Sequence, residues 1–194
     1  MAARAEQELE RSWWGNCAST FHEEQKQLVY ARRMGLTADW SVGHPPEFDL
    51  TGAAVVDVGG GPVSLLLKAR NAGYRLVIDP CPFPNWVYMR YAECGIDCQV
   101  EPGETWQPGL EFDEGWVYNV MQHVEDPERF IFTVRQNVDL VRLFEWIDIP
   151  AYDGHPHELH ADDFTRWLGG GGTVEAVNED GAVGTAFYGV FATV

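Results

Sequence analysis

The chain has 194 residues, of which 45% are hydrophobic and 13% aromatic. This composition excludes a disordered protein and favours one globular domain. The formal charge of −17 at pH 7 opposes contact with a phosphate backbone and argues against direct binding of DNA or RNA. We therefore expect a small-molecule ligand and, among proteins, a second copy of the chain or a basic partner.

We expect neither a membrane span nor a targeting segment. No apolar run is long enough to cross a bilayer, and the polar start MAARAEQELERS lacks the pattern of a signal peptide, so we expect a cytoplasmic protein. The four cysteines predict reduced thiols rather than disulfides in a chain of this size, and their spacing gives no zinc site: Cys17, Cys81, Cys94 and Cys98.

The first fifty residues predict helices. An acidic segment with Glu6, Glu8 and Glu10 precedes FHEEQKQLVYARRMGL, whose apolar residues recur at helical spacing up to a stop at Gly35. A loop rich in glycine and proline, SVGHPPEFDLTG, then leads to residue 52.

Beyond this loop, short apolar strands alternate with helical stretches. The stretches predicted as helices are VSLLLKARNAG, NWVYMRYAECG and PERFIFTVRQNV, and the predicted strands cover residues 53–58, 74–80, 96–101, 114–120 and 140–147. Such alternation is typical of an α/β fold with a parallel sheet covered on both faces. The end of the chain, TVEAVNEDGAVGTAFYGVFATV, instead predicts an antiparallel hairpin. The expected sheet therefore has seven strands, five of them parallel.

The stretch VVDVGGGP, residues 55–62, predicts a ligand site at the end of the first of these strands. Gly59, Gly60 and Gly61 allow the backbone to approach a ligand closely, and a following helix would point its N-terminus at the same place. Asp79, 18 residues after Gly61, ends the next strand and is placed to accept the hydroxyls of a ribose. A tight turn and a helix-capping aspartate would be the structural alternative, but the combination favours a nucleoside site.

The charge beside the glycines indicates which kind of nucleoside cofactor would bind. Ser64 occupies the place of the third glycine of a dinucleotide motif, and Asp57 precedes the first glycine by two residues. A carboxylate there is unfavourable beside a pyrophosphate and favourable near a cation. A cofactor with an amino-acid tail and a sulfonium centre matches this charge.

DVGGGP resembles the signature of class I S-adenosylmethionine-dependent methyltransferases. LVIDP is similar to the second strand of that family, GWVYNVMQHVEDPERF to its fourth strand and following loop, and the terminal hairpin to its reversed last strand. The resemblance runs from about residue 50 to the C-terminus. It implies a Rossmann-like three-layer sandwich in a single methyltransferase domain over residues 1–194, with a helical cap in residues 1–50 and the cofactor-binding core in residues 51–194.

The resemblance implies S-adenosylmethionine as cofactor, S-adenosylhomocysteine as product, and a set of binding residues. Gly59, Gly60 and Gly61 would line the methionine portion with Asp57 near its amino group, and Asp79 would hold the ribose with Pro80 and Cys81 beside it. Either Glu101 or Glu104, in VEPGETW, would face the adenine amine. Asn119 would lie at the end of the fourth strand, facing cofactor and substrate.

Histidines are the candidate catalytic residues. His123 is placed either to act as a general base or to pack the loop after the fourth strand. In GHPHELHADDF, His155 and His157 are candidates for a substrate pocket with a base. The alternatives are a metal site with His160, or a plain solvated loop that leads into the helix DDFTRWLGG with Asp162 as the helix cap. Substrate contacts are predicted for Glu145, on the strand before this loop, and for Trp14 and Tyr30 in the cap. For these two aromatic residues, a core position is the alternative.

Absent motifs narrow the expected activity. The sequence has NVMQ after the fourth strand, in place of the Asn- or Asp-Pro-Pro-aromatic run of amino-methylating nucleic-acid enzymes, and Cys81 lies in the wrong place for a cytosine C5 nucleophile. We therefore predict in-line methyl transfer to a small molecule. The alternatives are a catalytically silent nucleoside-binding partner or regulatory subunit, a subunit whose partner contacts nucleic acid, and an NAD(P)-dependent oxidoreductase. The oxidoreductase lacks support because the Tyr-x-x-x-Lys pair of short-chain reductases is missing.

Overall fold

The structure, a computed structural model, describes residues 2–39 and 46–193, and the side chains from residue 7 onward within these ranges. Residues 40–45 lie outside the described part, and they fall within or next to the predicted glycine- and proline-rich loop. The side chain of Glu6 also lies outside it. No helix in the described ranges combines the length and the apolarity needed to cross a bilayer.

Helices and strands alternate through most of the described chain. The α-helices are α1 (Ala2–Trp14), α2 (Phe21–Arg33), α3 (Asn85–Glu93), α4 (Pro127–Gln136) and α5 (Ala161–Leu168). The strands are β1 (Ala38–Asp39), β2 (Glu47–Asp49), β3 (Ala54–Val58), β4 (Ala69–Arg70), β5 (Tyr74–Ile78), β6 (Asp97–Gln99), β7 (Phe112–Tyr118), β8 (Val138–Ile147), β9 (Thr173–Glu179) and β10 (Ala182–Ala192).

Seven strands form the main sheet, in the order β6-β5-β3-β7-β8-β10-β9. The first five pair in parallel, and β10 pairs antiparallel with both β8 and β9. This confirms the predicted sheet and its antiparallel terminal hairpin. The strand order reverses at β3: the next strands of the main sheet, β5 and β6, lie on one side of it, and β7 and β8 lie on the other. Ligands of open α/β sheets bind at such a reversal point.

Both faces of the sheet are covered, so the fold has three layers. One core contains Tyr30 of α2, Tyr91 of α3 and Trp116 of β7. The other contains Phe130 of α4 and Phe164 of α5. Strands buried on both faces explain the nearly continuous apolar runs of β3, β5 and β8.

The prediction of an α-helix directly after the glycine loop is wrong. In its place lies a short 3-10 helix, Leu65–Lys68, followed directly by β4, which pairs in parallel with β2. The Ser64 side chain accepts the N–H of Leu66 at 3.0 Å and caps this turn. The pairing of β4 with β2 takes the residues that a helix would have needed, which is a tertiary contact that helical propensity does not register.

The helix cap at Asp162, given above as part of the alternative for the histidine loop, is also wrong. Helix α5 begins at Ala161 with His160 as its N-cap residue, and the His160 N–H donates to the carboxylate of Asp163 at 3.0 Å. Asp163 stands three residues after the cap, where a carboxylate can reach back to it.

Candidate functional site

A cavity of about 1090 Å³ opens at the carboxyl ends of β3, β5 and β7, beneath α1 and α2. Most of the predicted site residues lie on its wall: Trp14, Tyr30, Gly59, Gly60, Gly61, Asp79, Pro80, Glu104, Asn119, His123, His155 and His157. Asp57, Glu101 and Glu145 do not line it. The fold thus brings together two groups that lie far apart in sequence, the glycine loop and the histidines.

The glycine loop requires glycine for reasons of space and conformation. Gly59 has φ +85 and Gly61 has φ +61, a region that side-chain-bearing residues rarely adopt. A Cβ at Gly59 would lie 2.2 Å from Cγ2 of Val120, and one at Gly60 would lie 2.8 Å from the carboxyl carbon of Asp57. The loop therefore presents a bare backbone surface to the cavity.

Asp79 is fixed to this loop by its carboxylate. Its two oxygens accept the backbone N–H groups of Gly61 at 3.0 Å and Cys81 at 2.8 Å. Burial and the nearby charge of Glu10 raise the pKa of Asp79 to about 7. Asp79 thus stands at the cavity wall with a protonation state that changes near neutral pH.

Asp57 lies behind the glycine loop in the interior. It is 1% exposed and accepts hydrogen bonds from the hydroxyls of Ser64 and Tyr118 on one oxygen. Its other oxygen, Oδ1, finds no hydrogen-bond partner among the described residues. Burial raises the pKa of this carboxyl to about 7. Ser64, in the place of a third glycine, is therefore a partner of Asp57.

Two tyrosine hydroxyls replace the interactions of the missing helix. The hydroxyl of Tyr91 accepts the N–H of Ser64 at 2.8 Å and donates to the carbonyl of Gly61 at 2.8 Å. The hydroxyl of Tyr118 accepts the N–H of Leu65 at 3.0 Å. The backbone N–H groups that a helix N-terminus would direct at a ligand are thus bound in the interior.

Of the two glutamates predicted after the third strand of the main sheet, the structure places Glu104 on the cavity wall and Glu101 off it. A carboxylate oxygen of Glu104 accepts the N–H of Glu125 at 2.9 Å. Glu104 therefore connects the loop after β6 to the loop before α4.

Glu145 supports the loop after β7 from beneath. It is fully buried, and its carboxylate accepts the N–H groups of Val120 at 2.9 Å and Met121 at 3.2 Å. Burial raises the pKa of this carboxyl to about 8. Its contact with substrate stays a prediction, and in this structure Glu145 fixes the position of Asn119, which has φ +53, and of His123.

His123 and His155 meet on the cavity wall. Nδ1 of His123 lies 2.7 Å from the carbonyl of Gly154. Because a carbonyl only accepts, this nitrogen carries a proton, and in the neutral ring Nε2 carries the lone pair. The ring of His155 lies 4.3 Å from that of His123, and burial together with the charge of His123 lowers the pKa of His155 to about 4. His155 is therefore neutral at pH 7.

The other histidines of this loop have structural partners. His157 places Nε2 at 2.8 Å from the carbonyl of Val124. His160 is exposed and pairs with Asp148 at 2.8 Å. Within the described ranges, no group of three or more His, Cys, Asp or Glu side chains is arranged to hold a metal ion.

Helix α1 adds a residue that the sequence did not single out for the site. Glu10 lines the cavity, accepts a hydrogen bond from the Trp14 indole at 2.6 Å and places its second oxygen 3.9 Å from Nδ1 of His123. The i, i+4 spacing of Glu10 and Trp14 on a helix is the sequence signal that could have found it. Tyr30 is 1% exposed and stacks on Phe144 at 4.4 Å, so it is a core residue with one edge on the cavity.

These features together define a fold. The sheet order, the reversed hairpin and the glycine loop at the end of the first strand of the main sheet form the class I S-adenosylmethionine-dependent methyltransferase fold, as the sequence resemblance predicted.

Solved structures agree with this classification. Magnesium protoporphyrin IX methyltransferase from Synechocystis PCC 6803 with bound SAM matches with a TM-score of 0.62 over 97% of this chain and 97% of its own, at 14% identity. The N-methyltransferase NodS from Bradyrhizobium japonicum WM9, in complex with S-adenosylhomocysteine, matches with a TM-score of 0.58 over 88% and 86%, at 13% identity.

A third match has a bound small-molecule substrate. The 1,6-didemethyltoxoflavin-N1-methyltransferase of Burkholderia thailandensis, with 1,6-didemethyltoxoflavin and S-adenosylhomocysteine, has a TM-score of 0.59 over 98% of this chain and 84% of its own, at 10% identity. No family model and no curated protein matches the sequence. At these identities the comparisons establish the fold.

Proposed function

We propose that this chain is an S-adenosylmethionine-dependent methyltransferase that acts on a small molecule. One observation carries the proposal: the glycine loop, Asp79 and His123 converge on a single cavity at the reversal point of a methyltransferase sheet. Neighbours of this fold contain SAM or S-adenosylhomocysteine.

The residues fit such a cofactor. The bare surface of Gly59, Gly60 and Gly61 would receive the methionine portion, which no side chain at these positions could share. In its ionised form, Asp57 supplies negative charge behind this loop through its unpartnered Oδ1, which suits the cofactor's ammonium group and opposes a pyrophosphate. Asp79 and Glu104 would accept hydrogen bonds from ribose and adenine.

The cofactor, when bound, supplies a methyl group activated by an adjacent sulfonium. The contribution of this chain is mainly to position the acceptor in line with that methyl group. Where the acceptor must lose a proton, Nε2 of His123 is the available base, because Nδ1 is held by the Gly154 carbonyl. Glu145 acts through the loop, by holding the backbone that leads to His123.

The first experiment is a titration with S-adenosylhomocysteine that follows the fluorescence of the eight tryptophans. We expect saturable binding that Asp79→Asn weakens at least about tenfold, since a charge-assisted hydrogen bond is worth about 1.5–3 kcal/mol. Asp162→Asn removes an exposed carboxylate remote from the cavity wall and serves as the matched control.

The outcomes separate the proposal from its alternatives. A folded protein that binds NADH and not S-adenosylhomocysteine would be an oxidoreductase-type nucleotide protein, and our proposal would be wrong. Binding of S-adenosylhomocysteine without methyl transfer to any member of a broad acceptor panel would identify a silent cofactor-binding subunit.

A further inference from the structure

Helix α1 covers the cavity at the glycine loop, where a Cβ at Gly61 would lie 3.7 Å from Cζ2 of Trp14. The Gln7 carbonyl lies 3.9 Å from the thiol of Cys81, and Glu10 lies 3.9 Å from His123. Glu10 therefore stands between the predicted cofactor residues and the histidine loop, where a methyl acceptor must lie.

The cavity wall is acidic. Besides Glu10, the acidic residues that line it are Glu23, Asp79, Glu104, Glu125, Asp126 and Asp153. Among the described residues of the wall, the cationic side chains are Lys26 and Arg129, and Lys26 pairs with Glu23 at 3.3 Å. A cleft lined by one sign of charge concentrates ligands of the opposite sign, and the net charge of −17 acts in the same direction.

The same wall is also aromatic. Trp14, Trp146 and Tyr152 line it, and the Tyr152 ring lies 4.2 Å from that of His155. Aromatic faces attract cations through their ring quadrupole and also pack against apolar groups. His155 is neutral and adds no positive charge.

Resting on the proposed function, we propose that the methyl acceptor is the nitrogen of a cationic, partly apolar small-molecule amine, recognised by the carboxylate of Glu10. An anionic acceptor such as a carboxylate or phosphate ester would lose its hydration shell in a wall of like charge. An ammonium group exchanges that shell for Glu10 and the aromatic faces.

Residues of the cavity wall can accept the proton that the amine must lose before methyl transfer. The ammonium group gives one proton to Nε2 of His123, and the resulting imidazolium is stabilised by Glu10 at 3.9 Å. The neutral amine nitrogen then forms a bond to the methyl carbon as the carbon–sulfur bond breaks. The electron pair of the broken bond remains on sulfur. The product is a methylated ammonium ion, and the proton on His123 leaves to solvent, to which this side chain is 25% exposed.

The test uses sets of ligands that share a scaffold and differ in charge. One set is phenethylamine, hydrocinnamate and phenethyl alcohol, and a second is tryptamine, indolepropionate and tryptophol. Affinities are measured by calorimetry on the full chain saturated with S-adenosylhomocysteine. We expect the amine of each set to bind at least about tenfold more tightly than its partners, which corresponds to about 1.4 kcal/mol.

Variants assign this preference to Glu10. Glu10→Gln should abolish the preference for the amine, whereas Glu10→Asp should retain part of it. Because burial and the charge of Glu10 raise the pKa of Asp79 to about 7, the comparison is made above about pH 8, where Asp79 is ionised and the affinity for S-adenosylhomocysteine should stay within about threefold. Glu8→Gln is the matched control, because Glu8 is exposed on the same helix and does not line the cavity. It should keep the full preference.

Several results would overturn the inference. These are equal or tighter binding of the carboxylate or the alcohol, no binding of either amine at about 10 mM, and an unchanged preference in Glu10→Gln. Each of them leaves the proposed function intact when S-adenosylhomocysteine binds. Failure of S-adenosylhomocysteine to bind the folded wild-type chain would instead remove the proposed function itself.

Discussion

The carboxylate of Glu145 and the backbone N–H of Val120 form a 2.9 Å hydrogen bond in which the acid is fully buried. This bond joins the middle of the sheet to the loop that carries Asn119 and His123. A charged acid in such a place costs desolvation energy, which is why burial raises the pKa of Glu145 to about 8.

The stability of the protein should therefore depend on pH. A folded-state pKa above the unfolded value means that the native state binds the proton more tightly, so the stabilising contribution is complete below about pH 4.5 and is lost as the pH rises to 8. We expect Glu145→Gln to be more stable than the wild type at pH 8 by a few kcal/mol, because each unit of pKa corresponds to about 1.4 kcal/mol. Urea denaturation at pH 5 and pH 8 measures the difference. A gain of equal size at both pH values would contradict this explanation.

Asp79 should give cofactor binding its own pH dependence. Its pKa of about 7 means that acidification protonates the acceptor that ribose hydroxyls would use. We expect the Kd for S-adenosylhomocysteine to rise as the pH falls from 8 to 6, and Asp79→Asn to flatten this dependence. Asp57 also has a pKa of about 7, so the titration is repeated with Asp57→Asn. If the dependence is unchanged in Asp79→Asn, another group controls it.

Gly59→Ala tests whether the glycine loop is limited by space. A Cβ there would lie 2.2 Å from Val120, whereas one at Gly169 would meet nothing within 4 Å. The two glycines have nearly equal φ values, +85 and +83, so Gly169→Ala reports the backbone strain alone. We expect Gly59→Ala to lose about 1–3 kcal/mol more stability than Gly169→Ala in urea denaturation. Adding Val120→Ala should recover part of that difference, and an equal loss in both single variants would exclude the steric explanation.

Tyr118→Phe tests the interior network behind the glycine loop. It removes the hydroxyl that donates to Asp57 and accepts from Leu65, and leaves both groups buried. We expect a loss of about 1–3 kcal/mol in the free energy of unfolding. Tyr74→Phe, which removes an exposed hydrogen bond to Asp97, should lose less than about 1 kcal/mol. Similar losses would mean that the network contributes little.

His123→Asn separates the basic nitrogen of His123 from its structural role. An asparagine amide can still donate towards the Gly154 carbonyl, but it has no basic lone pair in place of Nε2. With an acceptor that must lose a proton, we expect kcat to fall about 100- to 10,000-fold while the affinity for S-adenosylhomocysteine is unchanged. A kcat close to that of the wild type would assign His123 to loop packing.

The alternating pattern and its turns were sufficient to predict the main sheet. Strands β3, β5 and β8 are buried on both faces, so their apolar runs are visible without knowledge of their neighbours. The turn residues between β9 and β10, with Asp180 at φ +46 and Gly181 at φ +81, marked the reversed hairpin. The glycine loop could also be predicted locally, because its positive φ values at Gly59 and Gly61 depend on the glycines themselves.

Long-range contacts decided what the sequence predicted wrongly or left open. The 3-10 turn after the glycine loop depends on β2 and on the hydroxyls of Tyr91 and Tyr118, which come from distant elements. Glu101 and Glu104 have the same side chain, and only the fold of their loop places Glu104 on the cavity wall and Glu101 off it. Glu10 became a candidate only through the placement of α1 over the cavity. The sequence by itself determined the sheet and the glycine loop, because periodicity and backbone conformation are local properties. The tertiary structure decided which carboxylates face the cavity, because charge and burial depend on neighbours remote in the chain.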